Sequence, residues 1–177
     1  MAFIRIKKVK DWRYAYLVEN MWKSGKTKQK VKQYLGRVYT LENIVGLKFD
    51  RDIARMSFKD AVKELVMFEL MKNGFKEDKG VLKKSGFFVD LGKCEFTNNK
   101  KPVVFESNEG FICSSTFSRM INFRPSGTEE ETGLSLAETI LEAGISIPHK
   151  VFVKLFEKVH KLDMPLVEDT QKFINGA

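Results

Sequence analysis

The chain has 177 residues, a net charge of +8, 43% hydrophobic and 31% charged residues, which excludes a disordered chain and fits one medium domain or a small module plus a larger one. Its apolar runs reach only about five residues against roughly 20 for a membrane helix. With no apolar stretch of signal-peptide length at the N-terminus and only Cys94 and Cys113, the expectation is a cytoplasmic protein, nucleoid- or ribosome-associated, with no membrane contact.

The charge is uneven along the chain. Residues 1–39 hold eleven Lys or Arg against Asp11 and Glu19, a net +9, which leaves −1 for residues 40–177. Residues 3–9, 13–22 and 27–35 read as a three-stranded antiparallel sheet, with Lys23-Ser24-Gly25-Lys26 as the second turn because glycine tolerates positive φ. Strict pairing across that turn sets Trp22 opposite Thr27, Val18 opposite Val31, Tyr16 opposite Gln33 and Tyr14 opposite Leu35. One face then carries Tyr14, Tyr16, Val18, Trp22, Val31 and Leu35. The other carries Lys28, Lys30 and Lys32 beside Ala15, Leu17, Glu19 and Met21. A three-residue first turn (Lys10, Asp11, Trp12) is favoured over a two-residue one. It sets Ile4 and Ile6 on the aromatic face and leaves Arg5 and Lys7 wet on the basic face.

Residues 40–56 read as a short helix or loop. A helix over 58–73 follows, capped by Ser57 with Asp60 three positions on, and stopped at Gly74. Residues 75–85 read as a Lys-rich connector and 86–123 as a β region. Residues 125–133 are a polar loop holding Glu129, Glu130 and Glu131. Helices over 134–143, capped by Ser135 and Glu138, and over 148–162 close the chain, and the last dozen residues are loose. The expected fold is α+β: a basic three-stranded β module at 1–39, then a body at 40–177 with a helix, a second antiparallel sheet and a C-terminal helical hairpin.

Several motifs carry candidate chemistry. Gly25-Lys26-Thr27 resembles the end of a phosphate-binding loop, but Asn20 stands where a glycine is needed and the following residues alternate like a strand. Alternating Lys28, Lys30 and Lys32 set three ammonium groups about 6–7 Å apart, a spacing able to follow phosphates, and a narrow ribbon can enter a major groove. Arg5, Lys7, Arg13 and Arg37 complete the candidate phosphate contacts. Among the interleaved aromatics, Tyr14 and Tyr16 are read as core and Trp12 as a candidate for base stacking. No cofactor or metal site is expected. Cys94, Cys113, His149 and His160 lack ligand spacing, and Asp90, Glu95, Glu106 and Glu109 are unpatterned carboxylates. The helical pair also reads as a helix-turn-helix presenting Lys150, Lys154, Lys158 and Lys161, although an ordinary hairpin packed on the sheet explains Phe152 and Phe156 as well.

The segment at 3–39 resembles the N-terminal region of DDE-type insertion-sequence transposases. The resemblance rests on Tyr16-Leu17-Val18-Glu19, Gly25-Lys26, Lys28-Gln29-Lys30-Val31 and Tyr34-Leu35-Gly36, in order, over 37 of the 177 residues. It implies a role at transposon DNA for this segment. Those transposases add a long catalytic domain with three acidic metal ligands, for which the remaining 138 residues are too few, so the resemblance implies a DNA- or RNA-contacting sheet without strand transfer.

The expected function is therefore that of a non-enzymatic nucleic-acid-binding protein, with DNA favoured and RNA possible, whose body steadies the sheet or recruits a protein partner. Two alternatives come from other classes. One is a ribosome- or RNA-polymerase-associated factor using the same cations on RNA or on an acidic protein. The other is a small metal-dependent, nuclease-like enzyme that uses Asp90 or Glu106.

Overall fold

The computed structural model describes residues 2–23, 25–42 and 46–163. The expected turn residue Ser24, the side chains of Lys23, His160 and Lys161, and the last dozen residues lie outside what is described. Strands β1 (Ala2–Val9), β2 (Trp12–Lys23) and β3 (Lys26–Thr40) form an antiparallel meander. Helix α1 (Phe58–Lys72) follows, then β4 (Lys76–Asp78), β5 (Val81–Lys84), β6 (Phe87–Asp90), β7 (Glu95–Asn98), β8 (Lys101–Ser107) and β9 (Gly110–Ile112). Helices α2 (Ser114–Ile121), α3 (Glu129–Glu142) and α4 (His149–Asp163) complete the described chain. Among the described residues, no helix is long and apolar enough to cross a membrane.

The class is α+β, but the first three strands are not a sheet of their own. One nine-stranded sheet runs β1-β2-β3-β8-β7-β6-β5-β4, with β9 beside β8. The join is parallel: residues 37–40 of β3 lie against 103–106 of β8. A parallel pair needs a long crossover and leaves no local turn signal, so nothing near residue 40 announces it. Gly36 makes the approach possible. Its φ is +135°, and a Cβ there would stand 2.6 Å from the Pro102 carbonyl carbon. At the join the sheet is buried on both faces. Val103 and Phe105 enter the large core with Val66, Leu70, Phe117, Leu136 and Leu155. Val104 enters a smaller cluster with Ala15, Leu35, Val38 and Cys113. Phe105 centres an aromatic group, with Phe75 and Phe87 edge-on at 5.3 and 5.2 Å.

Local chemistry explains where the elements depart from expectation. Helix α1 starts as expected, with the Asp60 amide donating to Ser57 Oγ at 3.1 Å. Residues 75–85 are no connector: β4 and β5 form a hairpin that turns through Lys79 and Gly80, both at positive φ, and buries Leu82. The expected β region ends early, because α2 starts at Ser114 after Cys113, whose amide donates to Thr116 Oγ1 at 3.1 Å. Eight residues are too few for the 3.6-residue period to stand out from a β-like run. Glu129, Glu130 and Glu131 are the first turn of α3, not a loop. The Thr128 amide donates to the Glu131 carboxylate at 2.7 Å and the Glu131 amide to Thr128 Oγ1 at 3.2 Å. This box, with three carboxylates at the positive end of the helix dipole, outcompetes a start at Ser135. No helix forms in the described part of 40–56.

A buried polar clamp ties the layers together. Glu69 of α1, only 2% exposed, accepts from Lys72 Nζ at 3.1 Å and from Ser107 Oγ at 3.0 Å. The neighbouring Asn108 amide donates to the Gly144 carbonyl at 2.7 Å. One helix, the β8–β9 turn and the end of α3 are thereby fixed to each other.

Candidate nucleic-acid interface

The basic N-terminal segment builds two unlike surfaces. The first turn has two residues, since Val9 pairs with Trp12 and Lys10 takes a φ of +54°. A lysine in that conformation gives no glycine or asparagine signal, and the turn reverses the expected arrangement of β1. Ile4 pairs with Leu17 and Ile6 with Ala15, whereas Arg5 pairs with Tyr16 and Lys7 with Tyr14. Paired residues share a face. The isoleucines therefore pack against the small cluster, and the cations stand among the tyrosines.

Strand β3 adds a second departure. Its pairing with β2 follows expectation from Trp22–Thr27 to Val18–Val31, then slips twice, giving Leu17–Gln33, Tyr16–Tyr34, Ala15–Gly36 and Tyr14–Arg37. Lys32 and Leu35 are the surplus residues. Between the two bulges the alternation is inverted. Leu35 turns inward and is buried with Ala15 and Val38, and Tyr34 turns outward beside Tyr14 and Tyr16. Burial of a leucine side chain is worth about 1.5–3 kcal/mol, which is ample reason for a distorted ladder. Tyr14 and Tyr16 are thus not core residues. They are half-buried and belong to neither apolar cluster.

The outer face carries Phe3, Arg5 and Lys7 of β1, Trp12, Tyr14 and Tyr16 of β2, and Val31, Tyr34 and Arg37 of β3, none of them a carboxylate. The Tyr34 ring lies 5.4 Å from that of Tyr16 and 6.4 Å from that of Tyr14. Burial and the neighbouring phenols push the Tyr34 hydroxyl above its ordinary range, so it stays neutral near pH 7. Arg37 lies directly over the Trp12 ring and 4.9 Å from that of Tyr39, a cation–π stack that covers one side of the candidate stacking residue, itself 48% exposed. Arg5 donates to Gln29 Oε1 across a groove of about 320 Å³ bounded also by Lys7, Tyr16 and Val31.

The opposite face carries the lysines. Lys28 pairs with Met21 and Lys30 with Glu19, and Lys26, two positions before Lys28 on the same strand, shares their face. Because β1 stops opposite Glu19, residues 20–23 and 26–29 form a two-stranded arm extending beyond the sheet. From 20 to 30 the sequence holds Lys23, Lys26, Lys28 and Lys30 and no acid. Near its end Trp22 is 75% exposed.

Two of the seven candidate cations serve the fold. Arg13 donates to both Glu106 oxygens, at 3.0 and 2.6 Å, and to Thr40 Oγ1 at 2.8 Å, bracing β2 against β3 and β8. Hydrogen bonding from Arg13, with help from Thr40, holds the Glu106 carboxyl below its ordinary range against the opposing effect of burial. Lys32 pairs with Glu19 at 2.9 Å and lowers that carboxyl's pKa likewise. Arg5, Lys7 and Arg37 stand on the aromatic face, and Lys28 and Lys30 on the other. The residues that sequence reasoning missed are Tyr14, Tyr16 and Tyr34 as an open patch, Gln29, Trp22 and Lys26. A two-residue first turn was the signal that would have found the first two.

The other candidate sites are not assembled. Among the described residues, no three His, Cys, Asp or Glu side chains converge as a metal site. Asp90 is occupied by the Lys93 amide at 3.0 Å. Cys113 is buried and Cys94 half-buried. Gly25-Lys26-Thr27 leads into a strand, without the helix a phosphate loop needs. Helix α4 packs on α1 and the segment before it: Leu155 and Val159 are buried, Lys154 pairs with Asp52 at 3.0 Å, and Lys158 donates to the Ala54 and Met56 carbonyls. No family model, curated protein or solved structure matches this chain.

Proposed function

We propose that this chain is a non-enzymatic nucleic-acid-binding protein that grips the phosphate backbone, of DNA first, through its N-terminal strands. The observation that carries the reading is the arm formed by residues 20–23 and 26–29. It is a lysine-bearing two-stranded ribbon with no carboxylate of its own, held out from a body whose remaining charge is close to neutral. Such a ribbon is narrow enough for a major groove and offers phosphates several ammonium groups on one side. Lys28 makes no ion pair among the described residues, and Lys30 is only loosely shared with Glu19. The likeness of 3–39 to transposase N-terminal segments agrees with a role at DNA and belongs to the same proposal. The body would then serve as the rigid mount, with the Arg13–Glu106 pair and the β3–β8 join transmitting load from the arm to the core.

The test is a binding titration of the full chain against duplex DNA and structured RNA over a range of salt. Micromolar or tighter binding that weakens steeply with salt supports the reading. No binding to either polyanion at low salt ends it. Preference for structured RNA by a large factor would move the function to a ribosome- or polymerase-associated factor.

A further inference from the structure

The outer face of the N-terminal sheet is chemically unlike the lysine face of the arm. It combines three clustered phenol rings, one of them (Tyr34) 45% exposed, with arginine and lysine at its rim and no acid among the described residues of β1, β2 and β3 on that face. Tyrosines whose only purpose was to fill space would lie in a core, and these lie in neither. A protein partner with an apolar face would gain little from Arg5 and Lys7, and an acidic one little from three rings. One ligand class presents flat π-surfaces and a regular negative charge together, and it does so only when its bases are unpaired, because a duplex hides the base faces in its own stack.

We infer that the Tyr14, Tyr16 and Tyr34 face is a stacking platform for the unpaired bases of a single-stranded nucleic acid, with Arg5 and Lys7 on the adjoining phosphates. The inference rests on the nucleic-acid reading above and names its ligand class. Arg5 and Lys7 are two positions apart on β1, so their heads project about 6–7 Å apart on one side. The groove they share with Tyr16 and Gln29, about 320 Å³, is at the lower end of the size range of small-ligand clefts. Gln29 brings an amide able to donate to and accept from a base edge. Every base has a π-face, so the platform tolerates sequence and discriminates by strandedness.

The experiment measures affinity of the full chain for oligo-dT and oligo-U of about 12 nucleotides, within the site sizes of single-strand binders, and for a duplex. The wild type is compared with Tyr34→Leu, Tyr16→Leu, Tyr34→Phe and the double variant Lys28→Gln/Lys30→Gln. Tyr34 is exposed enough for leucine to be accommodated, and thermal denaturation verifies the fold. Each Tyr→Leu change is expected to weaken single-strand binding about tenfold, the middle of the range for loss of one stacking ring. It should leave the salt dependence unchanged and duplex affinity within about twofold. Tyr34→Phe keeps the ring and should keep the affinity. The oligo-dT and oligo-U arms report which sugar is accepted, and the loss must appear in at least one. Wild-type single-strand affinity in both leucine variants overturns the platform, as does an equal loss on duplex. If polyanions bind and respond to the lysine variant while the tyrosine variants do nothing, only the platform falls. If no polyanion binds at all, the underlying reading falls with it.

Discussion

Lys28 and Lys30 offer the most direct quantitative test of the proposed function. Of the seven candidate cations, Arg13 and Lys32 are already neutralised by Glu106 and Glu19, and Arg5, Lys7 and Arg37 stand on the opposite face, so the lysine face of the ribbon offers Lys28 and Lys30 together with Lys26. If each of these three meets one phosphate of duplex DNA, log affinity should fall with log salt at a slope of about −2.7, at roughly 0.9 per contact. Lys28→Gln/Lys30→Gln removes two contacts at side chains that belong to neither apolar cluster, so stability should hold. The slope should relax to about −0.9, and affinity at about 0.1 M salt should drop roughly 60-fold. Arg13→Gln is the control: it deletes a cation bound to Glu106, so it should lower stability and leave the slope within about 0.3 of wild type. Fluorescence anisotropy across a salt series reads both. An unchanged slope in the lysine variant, or an equal change in Arg13→Gln, would refute the assignment of phosphate contacts to the arm.

Three further outcomes follow from the fold itself. Glu69→Ala removes the acceptor of a buried ion pair with Lys72 and of the Ser107 hydroxyl, and should cost about 3–5 kcal/mol in urea denaturation; a loss under about 1 kcal/mol would show the clamp to be dispensable. Glu106 has a folded-state pKa below its ordinary 4.5, so its pairing with Arg13 adds stability that is full above the ordinary value and is lost as pH falls through the depressed one. The stability difference between wild type and Glu106→Gln should accordingly shrink on acidification below that range, and a difference constant down to about pH 3 would contradict the linkage. Gly36→Ala forces a Cβ into the Pro102 peptide at a φ of +135°. It should destabilise by at least about 2 kcal/mol, and a wild-type melting temperature would mean that the β3–β8 join is not so tight.

How far the sequence led can be traced residue by residue. Helix α1 and the existence of three N-terminal strands were legible because Ser57, Gly74, Gly25 and an alternating lysine run are local signals. The faces of those strands were not. Lys10 turns the chain without glycine, and two surplus residues in β3 leave no compositional mark, so a strict period of two assigned Leu35 to the surface occupied by Tyr34. The α2 helix hides in a Phe-rich stretch that also suits a strand. Thr128 and Glu131 have the same spacing as Ser135 and Glu138, so the local pattern does not by itself choose between the two starts. The parallel β3–β8 pairing depends on contacts more than sixty residues apart, and no local pattern encodes it. For the candidate site, the cations were identified from charge alone, and the aromatic patch emerged only from the register.

The paired bulges in β3 behave like a frameshift and its suppressor. Lys32 opens an altered frame and Leu35 closes it, so the strand from Gly36 onward, with the join to β8, is read in the original phase. Deleting one of the two would strand the downstream half out of phase, sending Val38 outward and Tyr39 to the wrong cluster. Deleting both would restore the frame at the join and merely exchange Tyr34 with Leu35. Length variation in this strand should therefore be tolerated in twos and not in ones.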